Sequence, residues 1–462
     1  MKKTVCIQGL GFVGSAMATA VAMAKNTDGS PMYDVIGVDL PNEMGMTRVE
    51  TINKGVFPFE TSDEKLLKVF SEVHETGNLL ATVDESVYAK ADIIVVDIQL
   101  DIPYLDDEPQ LEFEGLKKAI RAIGKKVAKD TLIIVETTVP PGTCEKIVVP
   151  TLMSELNKRK INEDSVLVAH SYERVMPGKD YLDSIINYWR VFAGHTESAG
   201  DACEEFLATV VNVDDFPLTR LSNTTASETA KVMENTYRAV NIAFVDEWSK
   251  YAEKVGIDLY EVVDAIRMRP THSNIRFPGL GVGGYCLTKD PTFTPAAGKQ
   301  IFNIDNLDFP FSKMAVRVNH DMPLHSALRL KELLGGSLKD KKILVCGVSY
   351  REDVGDTRYS PTEILVKSIQ DEGAEVAAHD PFVSFWEELN QNVYRKMPNL
   401  KGFDAVVFCV SHSVYKQQNI VSLLLEEKLV VLDTNNVLTS AQRESLRNGG
   451  ILLESIGRGT RL

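Results

Sequence analysis

Gly9-Leu10-Gly11-Phe12-Val13-Gly14 stands between a predicted strand at residues 4–9 and a predicted helix at residues 14–25. In this GxGxxG pattern the first glycine permits a tight turn, the second lets a pyrophosphate approach the backbone, and the third lets helix and strand pack closely. A second predicted strand, at residues 35–39, ends at Asp39, whose carboxylate can bind an adenosine ribose. The stretch predicts a dinucleotide site rather than a turn that merely requires glycine. NAD is preferred because Asp39 would repel the 2′-phosphate of NADP and no basic residue is evident beside it.

Strand-like and helical segments alternate outward from this turn. Predicted strands at residues 93–96 and 131–136 flank a predicted helix at residues 115–129. A second alternation begins after the middle of the chain, with predicted strands at residues 341–348, 375–378, 405–409 and 429–433. Alternation of this kind is typical of doubly wound parallel sheets. The expected fold class is α/β, with two Rossmann-like domains joined by a central domain built on a long helix.

The middle of the chain is helical. Apolar residues keep helical spacing in predicted helices at residues 227–255, 259–267 and 311–335. A helix as long as the first of these can join two domains or line a dimer interface. Its apolar positions exceed one face, which favours a homodimer over a helix buried within one domain.

Composition narrows the classes of function. With 50 Lys and Arg against 65 Asp and Glu, the net charge is −15, which argues against a nucleic-acid partner. The six cysteines are scattered without a CxxC pair, so neither a metal site nor a disulfide framework is expected. No window has the apolar length of a membrane span. A soluble, cytoplasmic protein fits better than a secreted one, although Lys2 and Lys3 before an Ala-rich run superficially resemble a signal peptide.

The most informative stretch for chemistry is Gly279-Leu280-Gly281-Val282-Gly283-Gly284-Tyr285-Cys286-Leu287-Thr288-Lys289-Asp290. Four glycines let the backbone approach a ligand and offer it N–H groups. The Lys289 ammonium favours the thiolate of Cys286, and Asp290 can serve as a base for water. These neighbours predict a nucleophilic Cys286. The ordinary alternative, a small buried hydrophobe, is expected for Cys6, Cys203, Cys346 and Cys409.

Six segments together resemble the nucleotide-sugar 6-dehydrogenases, the family of UDP-glucose and UDP-N-acetylhexosamine dehydrogenases. They are the glycine turn, Glu136-Thr137-Thr138-Val139-Pro140-Pro141-Gly142, Glu173-Arg174-Val175-Met176-Pro177-Gly178, Glu228-Thr229-Ala230-Lys231-Val232-Met233-Glu234-Asn235, the cysteine loop, and Gly355-Asp356-Thr357-Arg358-Tyr359-Ser360-Pro361. The resemblance implies an NAD-binding domain at residues 1–215, a central helical domain with the cysteine loop at residues 216–325, and a UDP-sugar-binding domain at residues 326–462.

The same resemblance implies a four-electron oxidation of the C6 alcohol of a UDP-sugar. A first NAD accepts a hydride to leave an aldehyde, to which Cys286 adds as a thiohemiacetal. A second NAD oxidises this adduct to a thioester, and water releases the uronic acid. A thiol is needed because its adduct retains a hydride to donate.

Individual roles follow by position within the resemblance. Lys231 and Asn235, four residues apart on one helix face, would contact the reacting oxygen. Asp290 would position or deprotonate water, Thr138 would lie near the nicotinamide and that water, and Glu173 would relay a proton or contact substrate. The implied cofactor-binding residues are Gly9, Gly11, Phe12, Val13, Gly14, Asp39, Thr138, Lys289 and Arg358. The implied substrate-binding residues are Glu173, Arg174, Lys231, Asn235, Gly283 and Tyr285.

Each role has an ordinary alternative. Lys231 could be a solvated lysine, and Asp290 a surface carboxylate. The Thr138 hydroxyl could cap the turn that follows its strand, and Arg358 could form a surface salt bridge.

Departures from the family pattern bear on the sugar. Pro177 stands where the glucose-oxidising branch carries a second glutamate, and the resulting ERxxPG pattern is similar to the N-acetylhexosamine branch. In contrast, Tyr285-Cys286-Leu287-Thr288-Lys289-Asp290 is similar to the glucose branch. UDP-N-acetylhexosamine is therefore slightly favoured, with UDP-glucose as the alternative. Asp97-Ile98-Gln99 replaces a usual Pro-containing turn, and Asn435 stands where an arginine often helps to hold substrate.

Two further classes compete with this interpretation. A single-step β-hydroxyacid dehydrogenase shares the glycine turn and long helix but would yield one NADH per substrate rather than two. A non-catalytic NAD-binding regulator would not be expected to retain Cys286, Lys231, Asn235 and Asp290.

Overall fold

A computed structural model describes residues 2–100, 102–105, 108–162, 165–417 and 419–459. Its strands, in chain order, are β1 (Lys3–Gln8), β2 (Tyr33–Val38), β3 (Leu79–Thr82), β4 (Ile93–Val96), β5 (Tyr104–Leu105), β6 (Glu108–Pro109), β7 (Thr131–Val135), β8 (Val166–Tyr172), β9 (Val191–Gly194), β10 (Thr219–Arg220), β11 (Lys342–Cys346), β12 (Glu375–His379), β13 (Phe385–Trp386), β14 (Gln391–Asn392), β15 (Ala405–Phe408), β16 (Val430–Asp433) and β17 (Leu453–Ser455).

The α-helices, again in chain order, are α1 (Phe12–Ala22), α2 (Glu43–Asn53), α3 (Glu64–Thr76), α4 (Glu114–Gly124), α5 (Val149–Lys158), α6 (Asp183–Ile186), α7 (Glu197–Val210), α8 (Thr224–Val255), α9 (Leu259–Arg267), α10 (Phe293–Gln300), α11 (Pro310–Leu333), α12 (Pro361–Asp371), α13 (Asn419–Glu427) and α14 (Ser440–Asn448). The described residues form two compact units. The first contains residues 1–234 and 292–308, and the second contains residues 235–291 and 309–462.

The first unit is built on an eight-stranded sheet in the order β10-β9-β8-β7-β4-β1-β2-β3. Neighbouring strands are parallel except for the β8–β9 pair, which is antiparallel. All four residues of β4 are buried, because helices cover both faces of the sheet. The strand order reverses direction at β1 and β4, so the carboxyl ends of these two strands bound the crevice where such sheets bind ligands.

The second unit combines helices with a smaller sheet. Its five strands run in the order β12-β11-β15-β16-β17, and every neighbouring pair is parallel. Helix α8 begins in the first unit and continues into the second, where it packs on α11 through Ala239, Ala243 and Ala315. Small side chains at this contact let the two helices approach closely. The Asn319 amide of α11 donates to the carbonyl of Ala239 at 3.0 Å.

The predicted α/β fold class is confirmed, and most predicted elements differ from the observed ones only at their ends. Helix α8 begins three residues before its predicted start because the side chain of Asn223 accepts a hydrogen bond from Ala226 N at 2.9 Å and caps the first turn. Helix α9 has the predicted bounds, since Asp258 caps it. Helix α4 ends at Gly124, five residues before the predicted end. None of the helices in the described ranges combines the length and apolar character needed to cross a membrane.

Candidate functional site

The glycine turn lies between β1 and α1 in the first unit. Gly9 has φ +95°, and a Cβ atom added to Gly14 would lie 1.8 Å from the carbonyl oxygen of Gly9. The first and third glycines are therefore required by the packing of α1 on the turn. A Cβ added to Gly11 would meet no atom within 4 Å, so protein packing does not explain this glycine. Open space at the N-terminus of α1 fits the approach of a dinucleotide pyrophosphate, as predicted for NAD.

We expect Gly11→Ala and Gly14→Ala to separate these two causes. Gly11→Ala should leave the melting temperature within about 2 °C of wild type, yet weaken NAD binding by about tenfold or more, because the new methyl occupies the ligand's space. Gly14→Ala should lower the melting temperature, because the methyl collides with backbone. Thermal melts and calorimetric NAD titrations measure both effects. Equal loss of stability in the two variants would contradict the assignment of Gly11 to ligand contact.

Asp39 lies just beyond the end of β2, with its side chain only 8% exposed. Arg48 of α2 places Nη1 3.3 Å from Oδ2 of Asp39, and its guanidinium lies 5.6 Å from the ring centroid of Phe59. The expectation that no basic residue lies beside Asp39 is therefore wrong. Sequence inspection missed Arg48 because the turn into α2 brings back a residue nine positions away. The carboxylate remains at the strand end, where it fits a ribose.

Lys231 is buried in the first unit, so the alternative of a solvated lysine is wrong. Its ammonium donates to the carbonyl of Glu173 at 2.7 Å and lies 3.8 Å from Oε1 of the same residue. It also lies 5.4 Å from the ring centroid of Tyr172. The Glu173 carboxylate additionally accepts a hydrogen bond from Val175 N. The structure thus brings together two of the predicted site residues, Lys231 and Glu173. Burial strengthens the attraction between the ammonium and any negative charge that develops beside it.

Arg174 is held beside this pair by α8. Its Nη2 lies 2.8 Å from Oε2 of Glu234, and its guanidinium lies 5.1 Å from the Tyr172 ring centroid. Burial raises the pKa of Tyr172 to about 12, so the phenol stays neutral at ordinary pH. The ion pair positions Arg174, and Glu234 is a partner that sequence analysis did not identify.

Glu228, one turn before Lys231 on α8, is a second residue that the sequence analysis assigned no role. Its carboxylate accepts backbone hydrogen bonds from Gly142 at 2.6 Å and Cys144 at 2.7 Å. Burial raises the pKa of Glu228 to about 7. These contacts fix the turn after β7 to the start of α8. Thr138, the predicted cofactor and water contact, lies on the same connection and is partly exposed.

The cysteine loop belongs to the second unit. Cys286 is exposed, whereas the other five cysteines are buried, as predicted for four of them. Asp290 is fully buried, so the alternative of a surface carboxylate is wrong. Its Oδ2 accepts a hydrogen bond from the Asn235 amide at 2.7 Å, and its Oδ1 pairs with the Lys289 ammonium at 2.9 Å. Lys289 also lies 4.3 Å from the ring centroid of Tyr285. The structure therefore gathers five predicted residues in one loop cluster.

A tight turn connects the thiol to this buried carboxylate. The carbonyl of Cys286 accepts hydrogen bonds from Lys289 N at 3.2 Å and Asp290 N at 2.9 Å. These bonds hold the two charged residues one helical turn from Cys286. The turn thus connects an exposed thiol to a buried charge network.

Protein packing alone requires glycine at two positions of the loop, and the predicted ligand approach stays a prediction. A Cβ added to Gly283 would lie 2.7 Å from Cβ of Tyr350 and 2.8 Å from Cδ of Pro361. Gly284 has φ +79° and would meet the Tyr350 ring at 2.8 Å. Burial raises the pKa of Tyr350 to about 12. The loop therefore requires glycine because it lies directly against the segment that follows β11.

Arg358, predicted to meet cofactor phosphates, is about two-fifths exposed and forms a two-point ion pair with Asp356. Its Nε lies 2.9 Å from Oδ1 and its Nη2 2.7 Å from Oδ2. The neighbouring Tyr359 has φ +53°, and its ring centroid lies 6.0 Å from that of Tyr285. The ion pair with Asp356 agrees with the alternative prediction that Arg358 forms a salt bridge. In the chain, Arg358 directly precedes Tyr359, whose ring lies near that of Tyr285 in the cysteine loop.

Three family models match the chain along its length. The NAD binding domain of the UDP-glucose/GDP-mannose dehydrogenase family matches residues 3–211, the central domain residues 225–321, and the UDP binding domain residues 344–440. The resemblance inferred from motifs is thereby confirmed.

Individual relatives agree with the family models. The UDP-N-acetyl-D-mannosamine dehydrogenase of Methanocaldococcus jannaschii is 30% identical, over 99% of this chain and 97% of the relative. That of Pyrococcus horikoshii is 31% identical, over 98% of this chain and 99% of the relative. A solved structure of a UDP-D-ManNAc dehydrogenase from Pyrococcus horikoshii has a TM-score of 0.82 at 28% identity, covering 98% of this chain and 99% of that chain. This chain belongs to the UDP-glucose/GDP-mannose dehydrogenase family of NAD-dependent oxidoreductases.

Proposed function

We propose that this protein oxidises the C6 alcohol of a UDP-N-acetylhexosamine, specifically UDP-N-acetyl-D-mannosamine, to the uronic acid. The observation that carries the proposal is an exposed thiol, Cys286, one turn from a fully buried Asp290 that binds Lys289 and Asn235. A two-electron alcohol dehydrogenase has no use for such a thiol, whereas oxidation to the acid needs a nucleophile for the aldehyde.

The first oxidation requires an alkoxide at C6. The residues of the glycine turn and Asp39 would hold NAD, which supplies the hydride acceptor when bound. Lys231 contributes a buried ammonium and Asn235 an amide donor, and both groups stabilise negative charge on the reacting oxygen. The C6 hydride leaves with its electron pair and the hydroxyl proton departs to solvent, so the sugar becomes an aldehyde.

The second oxidation depends on Cys286. Its thiolate adds to the aldehyde carbon, and the former carbonyl oxygen becomes the oxygen of a thiohemiacetal. The remaining C6 hydride would pass to a second NAD and the hydroxyl proton to solvent, so that the adduct becomes a thioester without release of free aldehyde. The exposed position of Cys286 leaves its sulfur accessible to substrate, in contrast to the buried thiols of the chain.

Hydrolysis of the thioester requires an activated water. Asp290 is the candidate for this step, because its carboxylate is buried and its two oxygens are already oriented by Lys289 and Asn235. Water adds to the thioester carbon and the C–S bond breaks. The uronic acid is released, and Cys286 returns to its thiol or thiolate form. Glu173 and Thr138 remain proposals for proton relay and water contact.

The sugar is assigned from two observations. The ERxxPG segment with Pro177 is similar to the N-acetylhexosamine branch, and both full-length relatives described above carry the name UDP-N-acetyl-D-mannosamine dehydrogenase. The Tyr285-to-Asp290 segment favours UDP-glucose as the second candidate.

A substrate panel tests the assignment. Purified protein is given UDP-ManNAc, UDP-GlcNAc, UDP-GalNAc or UDP-glucose, and NADH formation is followed at 340 nm. We expect the highest kcat/KM with UDP-ManNAc and two NADH per sugar consumed. Preference for UDP-glucose would transfer the assignment to the second candidate. One NADH per sugar would contradict the thioester route.

We also propose a homodimer through α8. Within the second unit this helix exposes the aromatic side chains of Tyr237, Phe244, Trp248 and Tyr251, each about half accessible. An apolar stripe of this kind on a soluble protein is typical of a protein interface. Light scattering should give about twice the chain mass of 51.2 kDa. A mass equal to one chain would contradict the proposal.

We further propose a cytoplasmic location, which accords with five buried cysteines that remain thiols.

A further inference from the structure

Asp97 lies directly beneath the glycine turn of the first unit. It follows β4, and its backbone N–H donates to the carbonyl of Gln8 at 2.8 Å. Its carbonyl oxygen lies 2.2 Å from where a Cβ of Gly9 would stand, and its own Cβ lies 3.3 Å from where a Cβ of Gly14 would stand. Asp97 therefore packs against both outer glycines of the turn.

The sheet order indicates which part of the dinucleotide Asp97 faces. Asp39 marks the ribose end at the carboxyl end of β2, and the pyrophosphate is expected on the turn between β1 and α1. The remaining half of the dinucleotide must extend to the other side of the switch point, over the carboxyl ends of β4 and β7. Asp97 and Glu136 are the residues that directly follow these two strands. This half carries the nicotinamide ring.

The carboxyl of Asp97 belongs to a small buried charge cluster. Glu136 is 1% exposed and forms an ion pair with Arg190, which is 2% exposed, and Glu173 is the other acidic group facing Asp97. Among the described residues, neither Oδ2 of Asp97 nor Oε2 of Glu136 has a hydrogen-bond partner, although both atoms are buried. Burial and the neighbouring Glu136 raise the pKa of Asp97 well above its usual value. One proton shared by the two carboxyls, with Arg190 balancing the remaining charge, satisfies the cluster.

We propose that the Asp97 carboxyl responds to the charge of the bound nicotinamide, being a carboxylate with NAD⁺ and a carboxylic acid with NADH. The nicotinamide ring of NAD⁺ carries a positive charge that NADH lacks, and a nearby cation favours an ionised carboxyl. Only an O–H bond changes: the carboxyl takes one proton from solvent when NADH occupies the site and returns it when NAD⁺ does. Asp97 is thus a positioning residue that couples cofactor charge to pH. This inference rests on the NAD site and not on the identity of the sugar.

Calorimetric titration of the full-length wild-type protein with NAD⁺ and with NADH tests the coupling directly. Titrations in buffers of different ionisation enthalpy between pH 6 and pH 9 count the protons bound with each dinucleotide. We expect NADH to bind with a net uptake, relative to NAD⁺, of up to about one proton. Because NADH prefers the protonated carboxyl, Kd(NADH)/Kd(NAD⁺) should rise with pH, by up to about tenfold per pH unit.

Asp97→Asn should abolish this slope, because the amide cannot titrate. Asp130→Asn is the matched control, since it removes an exposed carboxylate just before the amino end of β7, and it should retain the wild-type slope. A merely structural role for Asp97 would alter the melting temperature without changing the proton count. The inference is overturned if wild-type protein binds both dinucleotides with a pH-independent Kd ratio, or if Asp97→Asn keeps the slope.

If Asp97→Asn does not fold, the proton counts measured with wild-type protein still test the inference. Equal proton counts for NAD⁺ and NADH binding would overturn this inference and leave the dehydrogenase function intact. Failure to bind either dinucleotide would overturn both.

Discussion

Replacement of Cys286 by serine is expected to lower kcat for uronic acid formation by about 1,000-fold or more. Cys286 is exposed and its thiolate is the proposed nucleophile toward the C6 aldehyde. A serine hydroxyl ionises at far higher pH than a thiol, so no comparable adduct forms and the second hydride has no donor. The first oxidation does not use the thiol and should persist.

The measurement is a rapid-mixing NADH trace combined with mass analysis of the sugar product. Wild type should yield two NADH and a uronic acid, whereas Cys286→Ser should yield at most one NADH per site and no uronic acid at the wild-type rate. Cys203→Ala, which removes a fully buried thiol of α7, should retain kcat within about twofold and lose only packing energy. Steady uronic acid production by Cys286→Ser at the wild-type rate would exclude the thioester route.

Lys231→Met should lower kcat by about 100- to 1,000-fold, the usual effect of removing one preorganised donor to a developing oxyanion. Methionine keeps the length and apolar stem of lysine but removes the buried ammonium, which lies 2.7 Å from the Glu173 carbonyl. The stabilisation lost belongs to the transition state, so KM for the sugar should change much less than kcat.

Lys254→Met is the matched control, because Lys254 is an exposed lysine near the end of the same helix. Steady-state kinetics of both variants, with thermal melts to confirm folding, separate catalysis from stability. The control should match wild type. A kcat for Lys231→Met within about threefold of wild type would show that the ammonium does not act on the reacting oxygen.

Structural features that depend on residues close together in the sequence were predictable from the sequence alone. The strand, glycine turn and helix at the start follow from local apolar runs and glycine spacing, and α9 has the predicted bounds because Asp258 caps it. Cys286 could be proposed as a nucleophile because charge and glycine lie within a few residues of the thiol. The packing of the loop glycines against Tyr350 and Pro361 was not predictable, because these residues lie more than 60 positions further along the chain.

The unpredicted parts of the site involve residues distant in sequence. Arg48 meets Asp39 through the turn into α2, and Glu228 binds backbone 86 and 84 residues away at Gly142 and Cys144. The antiparallel strand β9 was likewise not predicted, since strand direction depends on partners rather than on periodicity.

Local spacing was thus sufficient to predict element type and the glycine turn and to propose Cys286 as a nucleophile, because each depends on backbone propensity or on chemistry within one turn of chain. Only the tertiary structure shows that Lys231 and Asp290 are buried, and that Asp97 joins Glu136 and Arg190 beneath the glycine turn. A polar residue has the same sequence pattern on a surface as in a core. Its burial, and therefore its charge state, depends on which distant side chains surround it.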